Sequence, residues 1–115
     1  MTEAYERALE SILRVDGVRA AILVDAAMGV PVVMETDPDV DGDAAAALAA
    51  ELFRRTARGA ELAGTGELRT LQLAASEGHL LVAGAGDLLV VALAAPDAQL
   101  ALLRVEAGRA AGALA

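Results

Sequence analysis

The sequence predicts an α+β fold in which a five-stranded antiparallel sheet lies between one long helix and two terminal helices. Residues 67–93 contain three strand-like runs in succession, separated by short turns rich in glycine and serine. Two further strand-like runs occur near the N-terminus, and segments with apolar residues at helical spacing surround both groups. The resulting order is helix, two strands, helix, three strands, helix. It contains no linker and no break in composition, and we expect a single domain over residues 1–115.

The first predicted helix ends before Gly17. Apolar residues recur three, four, seven and eight positions after Tyr5, as far as Leu13, which is the spacing of one helix face. Asp16 and Gly17 end the helix, because glycine readily adopts the left-handed conformation that follows many helices.

A hairpin is predicted next. Residues 18–24 alternate in the manner of a strand, residues 25–29 form a turn, and residues 30–35 are a second β-rich run. Pro31 has no amide hydrogen, so we expect this second strand to lie at an edge of the sheet.

A long second helix is predicted over residues 44–62, with Asp43, the last aspartate of the preceding acidic loop, as its cap. Its expected inward stripe consists of Ala45, Leu48, Ala49, Leu52, Phe53 and Thr56. Its expected polar side carries Glu51, Arg54, Arg55 and Arg58.

The three late strands are predicted at residues 67–75, 79–83 and 87–93. The last of them has no polar residue after Asp87, which is typical of a central strand covered on both faces. A third helix is expected to begin at Pro96, because proline fits the first turn of a helix. Its expected inner stripe is Leu100, Leu103, Ala107 and Ala111.

The composition limits the possible functions. The formal net charge of −8 argues against binding to nucleic acid or to an anionic membrane, since both favour a basic surface. The absence of cysteine excludes disulfides and thiolate metal sites. The longest apolar stretch is interrupted at residues 84–87 and is too short to span a bilayer. The opening residues do not have the pattern of a secretory signal, and we expect a cytoplasmic protein. Abundant alanine, with arginine as the only basic residue besides His79, points to a bacterial source.

No catalytic signature is present, and we expect neither enzymatic activity nor a cofactor. Residues 37–42 have the spacing D-x-D-x-D-G of a calcium loop, but Leu48 stands where such a loop needs a glutamate. A solvated acidic loop is therefore favoured over a calcium site. The glycine pairs at 64–66 and 84–86 do not lie between a strand and a helix, as a phosphate-binding loop would, and they predict turns.

His79 and the arginines of the second helix are the remaining candidates for chemistry. Nothing in the sequence places a base and an orienting group beside His79, so we interpret it as a strand-edge residue that faces solvent. Arg54, Arg55 and Arg58 raise the hypothesis of an arginine finger. Ion pairs with Glu51 or Glu61 along a solvated helix are favoured instead. The same arginines are candidates for an interaction surface.

The chain resembles the Roadblock family, which includes dynein light chains and bacterial partners of small Ras-like GTPases. The matching residues are 13–18, which lead into 20–25, the turn to Gly29 and the alanine-rich helix. The late hairpin at 78–93 and the closing helix also match, so the resemblance spans essentially the whole chain. It implies a sheet with the second helix on one face and the two terminal helices on the other.

The resemblance also implies a homodimer in which the third strands of two subunits pair edge to edge and the second helices pack together. The residues expected at this interface are Leu68, Arg69, Thr70, Leu71, Gln72, Leu73 and Leu52. Independently, residues 67–75 contain no proline or glycine, and such a regular edge is an aggregation hazard unless it is covered or paired. Two-fold pairing would remove the hazard; a helix or loop that covers the edge of a monomer is the alternative.

The function that the resemblance implies is that of a non-enzymatic module that binds and regulates a small Ras-like GTPase. The residues expected to face this GTPase are Glu51, Arg54, Arg55 and Arg58. Two alternatives stay open. One is a scaffold subunit that ignores the nucleotide state of its partner, and the other is a small-molecule sensor with a pocket between sheet and helices.

Overall fold

The structure, a computed structural model, describes the backbone of residues 2–115 and the side chains from Glu3 onward. Its elements are α1 (Thr2–Leu13), β1 (Val18–Asp25), β2 (Pro31–Thr36), α2 (Gly42–Leu62), β3 (Thr70–Ala75), β4 (Gly78–Ala85), β5 (Leu88–Ala94) and α3 (Leu100–Leu114). The predicted order of elements and the α+β class are confirmed.

The five strands lie in the order β2-β1-β5-β4-β3, and all neighbouring pairs are antiparallel. β5 is central, as the lack of polar residues after Asp87 predicts. β2 lies at one edge, as Pro31 predicts, and the register of its pairing with β1 shifts between Leu23 and Val24. β3 forms the other edge.

Side chains from the sheet enter two separate cores. The core between the sheet and the terminal helices includes Leu9, Ile12, Leu23, Leu81, Val90 and Leu103. The core between the sheet and α2 includes Ile22, Ala46, Ala49, Ala50, Val82 and Val91. Ile22 and Leu23 are neighbours in β1 and enter different cores, as the two-residue period of a strand requires. The arrangement of helices that the resemblance implies is therefore confirmed.

α2 approaches the sheet through alanines. Ala46, Ala49 and Ala50 are fully buried, whereas Leu48 is 55% exposed. The predicted inward stripe is wrong at Leu48, because the helix is rotated so that its alanines face the sheet. Small side chains allow the helix backbone to lie close to the strands, and a run of alanines gives hydrophobic periodicity little power to fix the rotation.

The cap of α2 is Asp41 and not Asp43. The Oδ1 atom of Asp41 accepts a hydrogen bond of 3.0 Å from the backbone N–H of Ala44, and the helix begins at Gly42. Asp43 lies in the first turn, where its negative charge still favours the helix. The loop places aspartates at alternate positions, and each of them has the chemistry of a cap.

Two further elements begin three or more residues later than predicted. β3 begins at Thr70, three residues later than expected, and α3 begins at Leu100, with Gln99 as its cap residue. Pro96 lies in a turn before α3. The backbone N–H of Ala95, at the start of this turn, donates a 2.7 Å hydrogen bond to the carbonyl of Gly17. This bond ties the turn to the segment after α1, so the helix begins only after the chain has left that contact.

Replacing Asp41 with alanine should lower the free energy of unfolding by about 1 kcal/mol, because the first turn of α2 loses its side-chain acceptor. The measurement is urea denaturation followed by circular dichroism at one fixed protein concentration. Asp43→Ala is the matched control, since it removes the same charge without removing the capping bond, and its effect should be smaller. Equal losses in the two variants would contradict the role of Asp41 as the cap.

Candidate functional site: an open sheet edge beside helix α2

β3 is an open edge of the sheet, because β4 is the only strand that pairs with it in the described part of the chain. The carbonyl of Arg69 accepts a 2.9 Å hydrogen bond from the backbone N–H of Gly84 in β4. Alternate residues of a strand turn their backbone groups to opposite sides. Thr70, Gln72 and Ala74 therefore turn theirs to the open side, and all three residues are exposed. The edge offers donors and acceptors to a further strand.

Exposed leucines lie on this edge strand and on α2. Leu73 of β3 is 41% exposed and Leu48 of α2 is 55% exposed. Leu71 and Leu52 are half-buried and pack against the core between sheet and α2. α2 lies over β1, β2 and β5, so it leaves the outer part of this sheet face only partly covered. We refer to Leu48, Leu52, Leu71 and Leu73 as the leucine surface.

Two contacts fix the orientation of α2 on the sheet. Phe53 packs over Gly84 of β4, where an added Cβ atom would lie 3.1 Å from the Cζ atom of Phe53. On the other side, Nη1 of Arg54 donates a 3.3 Å hydrogen bond to the carbonyl of Ala26, in the turn between β1 and β2. Leu52 precedes Arg54 by two residues, about 200° around the helix, so it lies on the side of α2 opposite Arg54. The apolar side of α2 thus faces the open edge, and its arginines lie away from it.

The four charged residues predicted to face a partner lie along the outer side of α2. A guanidinium nitrogen of Arg55 lies 3.0 Å from the carboxylate of Glu51, one turn earlier, which confirms the expected ion pair. Arg58 follows Arg54 by one turn and is exposed. It has no carboxylate within 4.0 Å among the described residues. The role of this row in binding a partner stays a prediction.

Most of the residues predicted at the dimer interface lie along one border of the molecule. Thr70, Leu71, Gln72 and Leu73 belong to β3, whereas Leu68 and Arg69 immediately precede it. Leu52 packs against the same core as Leu71. The sequence prediction missed Leu48, which is exposed rather than inward-facing. The available signal was the one-turn spacing of Leu48 and Leu52, which is obscured by the surrounding alanines.

The acidic loop before α2 uses its carboxylates within the chain. Arg19 forms an ion pair with Asp39 and lies 3.8 Å from Asp37, while Asp41 caps the helix. Leu48, where a calcium loop needs a glutamate, is an exposed apolar residue of α2. Among the described side chains, no cluster of three or more His, Cys, Asp or Glu residues could hold a metal ion.

His79 does not face solvent as predicted, and it is half-buried. Its Nε2 atom lies 3.1 Å from the carbonyl oxygen of Pro96, and its Nδ1 atom is buried without a hydrogen-bond partner in the described structure. The turn before α3 lies against the ring, a contact between segments that are distant in the chain.

The predicted glycine turns are confirmed with one exception. Gly64, Gly66 and Gly86 have positive φ angles of 76°, 86° and 66°, the left-handed region that favours glycine. Gly84 belongs to β4 instead and makes room for Phe53. None of the helices described here is long and apolar enough to cross a membrane.

The chain is similar to proteins of one family. The model of the Roadblock/LC7 domain matches residues 4–94, whereas no curated protein sequence matches significantly. A solved structure of MglB with a tetrameric arrangement is 30% identical, covers 96% of this chain and 87% of that chain, and has a TM-score of 0.84. The gliding protein MglB of Thermus thermophilus is 26% identical, with coverage of 97% and 86% and a TM-score of 0.83.

A third structure, the Roadblock/LC7 domain of Streptomyces avermitilis, is 24% identical, with coverage of 90% and 87% and a TM-score of 0.79, and supports the fold alone. The family match covers most of the sequence, and the order of strands and helices agrees with the arrangement implied by the resemblance. The chain therefore belongs to the Roadblock/LC7 family.

Proposed function

We propose that this protein is a non-enzymatic homodimeric module that binds and regulates a small Ras-like GTPase. The observation that carries the proposal is the open edge of β3 beside the leucine surface. The family and the similarity to MglB support it. In this proposal, residues 1–115 act as one domain in the cytoplasm.

Pairing of two β3 strands about a two-fold axis would satisfy the outward backbone groups of Thr70, Gln72 and Ala74. The same symmetry would bring together the leucine surfaces of the two copies, which lie on the α2 side of that edge. Removal of these leucines from water supplies the apolar part of the association. The interface would thus combine backbone hydrogen bonds with apolar packing.

The outer side of α2 remains accessible in such a dimer and is the proposed platform for the GTPase. Arg54 donates a hydrogen bond and Arg55 forms an ion pair within their own chain, so they suit a preformed surface better than insertion into a nucleotide site. Binding would act on the switch regions of the GTPase, whose order depends on the bound nucleotide. A scaffold that ignores the nucleotide is the competing function.

Gln72→Pro should convert the dimer to a folded monomer. Gln72 turns its backbone toward the open edge, so proline would remove an outward donor and leave the hydrogen bonds between β3 and β4 in place. Sedimentation equilibrium would report the halved mass, and circular dichroism the retained fold. Gln72→Ala keeps the backbone donor and should keep the dimer. A dimer that persists in the folded proline variant would contradict pairing through β3.

Arg58→Glu should weaken binding to the GTPase about tenfold, because it reverses an accessible charge on the proposed platform. The measurement is isothermal titration calorimetry with Ras-like GTPases of the source organism, loaded with GDP or with a GTP analogue. Arg104→Glu is the matched control: it is also an exposed helical arginine, but it lies on α3 across the sheet, and it should leave the affinity unchanged.

The dependence of binding on the nucleotide held by the GTPase distinguishes regulation from scaffolding. Tighter binding to one nucleotide state supports regulation, whereas equal affinity for both states supports the scaffold. Absence of binding in both states, for every Ras-like GTPase of the organism, would contradict the proposal.

A further inference from the structure

α1 presents a row of alternating charges to solvent. Glu3, Arg7, Glu10 and Arg14 are spaced four, three and four residues apart, which places them on one side of the helix. All four are exposed. The backbone N–H of Arg14 donates a 3.2 Å hydrogen bond to the carbonyl of Glu10, so the helical path extends to this residue. We refer to these four residues as the charge row.

The charge row has no ion pairs of its own. In the part of the chain that the structure describes, none of its side chains lies within 4.0 Å of an opposite charge. Leu9 and Ile12, on the other side of α1, are buried against the sheet, so the row is held on a fixed helix. Its charges are available to a partner.

The charges of this row are complementary to those of the same row on a second, antiparallel copy of α1. When a second copy of α1 runs antiparallel, with the two-fold axis between Ala8 and Leu9, Glu3 of each copy faces Arg14 of the other. In the same register, Arg7 faces Glu10. Every facing pair then joins opposite charges, whereas a parallel pairing in register would place each charge against its own kind.

The groove between α1 and α3 supplies apolar contacts for the same arrangement. Near the start of α1 it contains a cavity of about 360 Å³, whose lining includes four alanines of the two helices, Ala4, Ala8, Ala110 and Ala113. At the other end of the groove, Leu102 lines a second cavity beside Arg14 and is 43% exposed. The antiparallel two-fold would place Leu102 of each copy over the alanine-lined cavity of the other, where it would lose contact with water.

We propose that the face formed by α1 and α3 binds a second copy of this chain, with the α1 helices antiparallel and the charge rows in contact. The net charge of −8 opposes the approach of two copies at long range. That repulsion is screened beyond about 8 Å at physiological ionic strength, whereas the facing pairs lie in contact. Local complementarity therefore decides the association.

This contact is separate from the open edge of the sheet. α1 packs on β1 and β2, at the end of the sheet remote from β3. Alone, the contact makes a dimer. Combined with the pairing of β3 under the proposed function, it joins dimers end to end, and the mean mass continues to rise as the protein is concentrated.

Charge reversal tests the contact. Arg7→Glu with Arg14→Glu makes the row wholly acidic, and Glu3→Arg with Glu10→Arg makes it wholly basic. Each variant alone should lose the α1 contact, and an equimolar mixture of the two should regain it. Sedimentation equilibrium over a range of concentrations would report the masses, and circular dichroism would verify the fold. Glu61→Arg with Asp87→Arg makes the same change of charge as the basic variant, at exposed sites elsewhere, and should keep the wild-type mass.

The masses also separate this proposal from the pairing of β3. When both contacts form, the wild type exceeds a dimer, each reversed variant stops at a dimer, and the mixture exceeds a dimer. When only the α1 contact forms, the wild type is a dimer and the reversed variants are monomers that dimerise on mixing. A mixture no heavier than its components, or reversed variants with the wild-type mass at every concentration, would overturn the proposal.

Discussion

The close packing of α2 against the sheet through alanines determines what the rest of the molecule leaves exposed. Ala46, Ala49 and Ala50 are fully buried over the strands, and side chains of this size allow the helix to lie near them. A single helix seated over β1, β2 and β5 leaves β3, at the other edge of the sheet, only partly covered. The leucine surface and the open edge of β3 are the result. The other face of the sheet has two helices, α1 and α3, and is covered more completely.

The leucine surface, the arginines of α2 and the charge row of α1 consequently lie in different parts of the molecule. Leu48 and Leu52 of α2 lie on the side of the helix opposite Arg54, and the arginines lie along the outer side and toward the turn between β1 and β2. The charge row lies across the sheet on α1. Contacts with a second copy at β3, with a GTPase at α2 and with a further copy at α1 would therefore not compete for the same residues. An acidic chain of modest size can in this way have several distinct partners.

Local patterns were sufficient to predict the order of elements and one edge of the sheet, which Pro31 marked through its missing donor. The edge position of β3 was implied by the resemblance to the Roadblock family and not by a pattern in residues 67–75. The rotation of α2 was not predictable in the same way, because alanine adds little to either side of a hydrophobic pattern. Leu48 was consequently assigned to the core, although it is more than half exposed.

The other differences depend on contacts between distant segments. Pro96 could not be placed without the hydrogen bond between Ala95 and Gly17, and the surroundings of His79 depend on where the turn before α3 lies. Asp41 and Asp43 are chemically equivalent as caps, and the path of the loop selects between them. In the candidate site, the charged residues of α2 were thus predictable from sequence and the open edge from the family resemblance, whereas the leucine surface required the packing of the helix.

The irregular border at β2 limits how far strand addition can proceed. Between Leu23 and Val24 the register with β1 shifts, and Pro31 faces Val24 without a donor of its own. If two copies join through β3, both outer borders of the doubled sheet are β2 strands of this kind. Proline and a bulge make poor templates for another strand, so the sheet is closed to amyloid-like extension. An assembly larger than this dimer must then form through side-chain contacts and not through strand pairing.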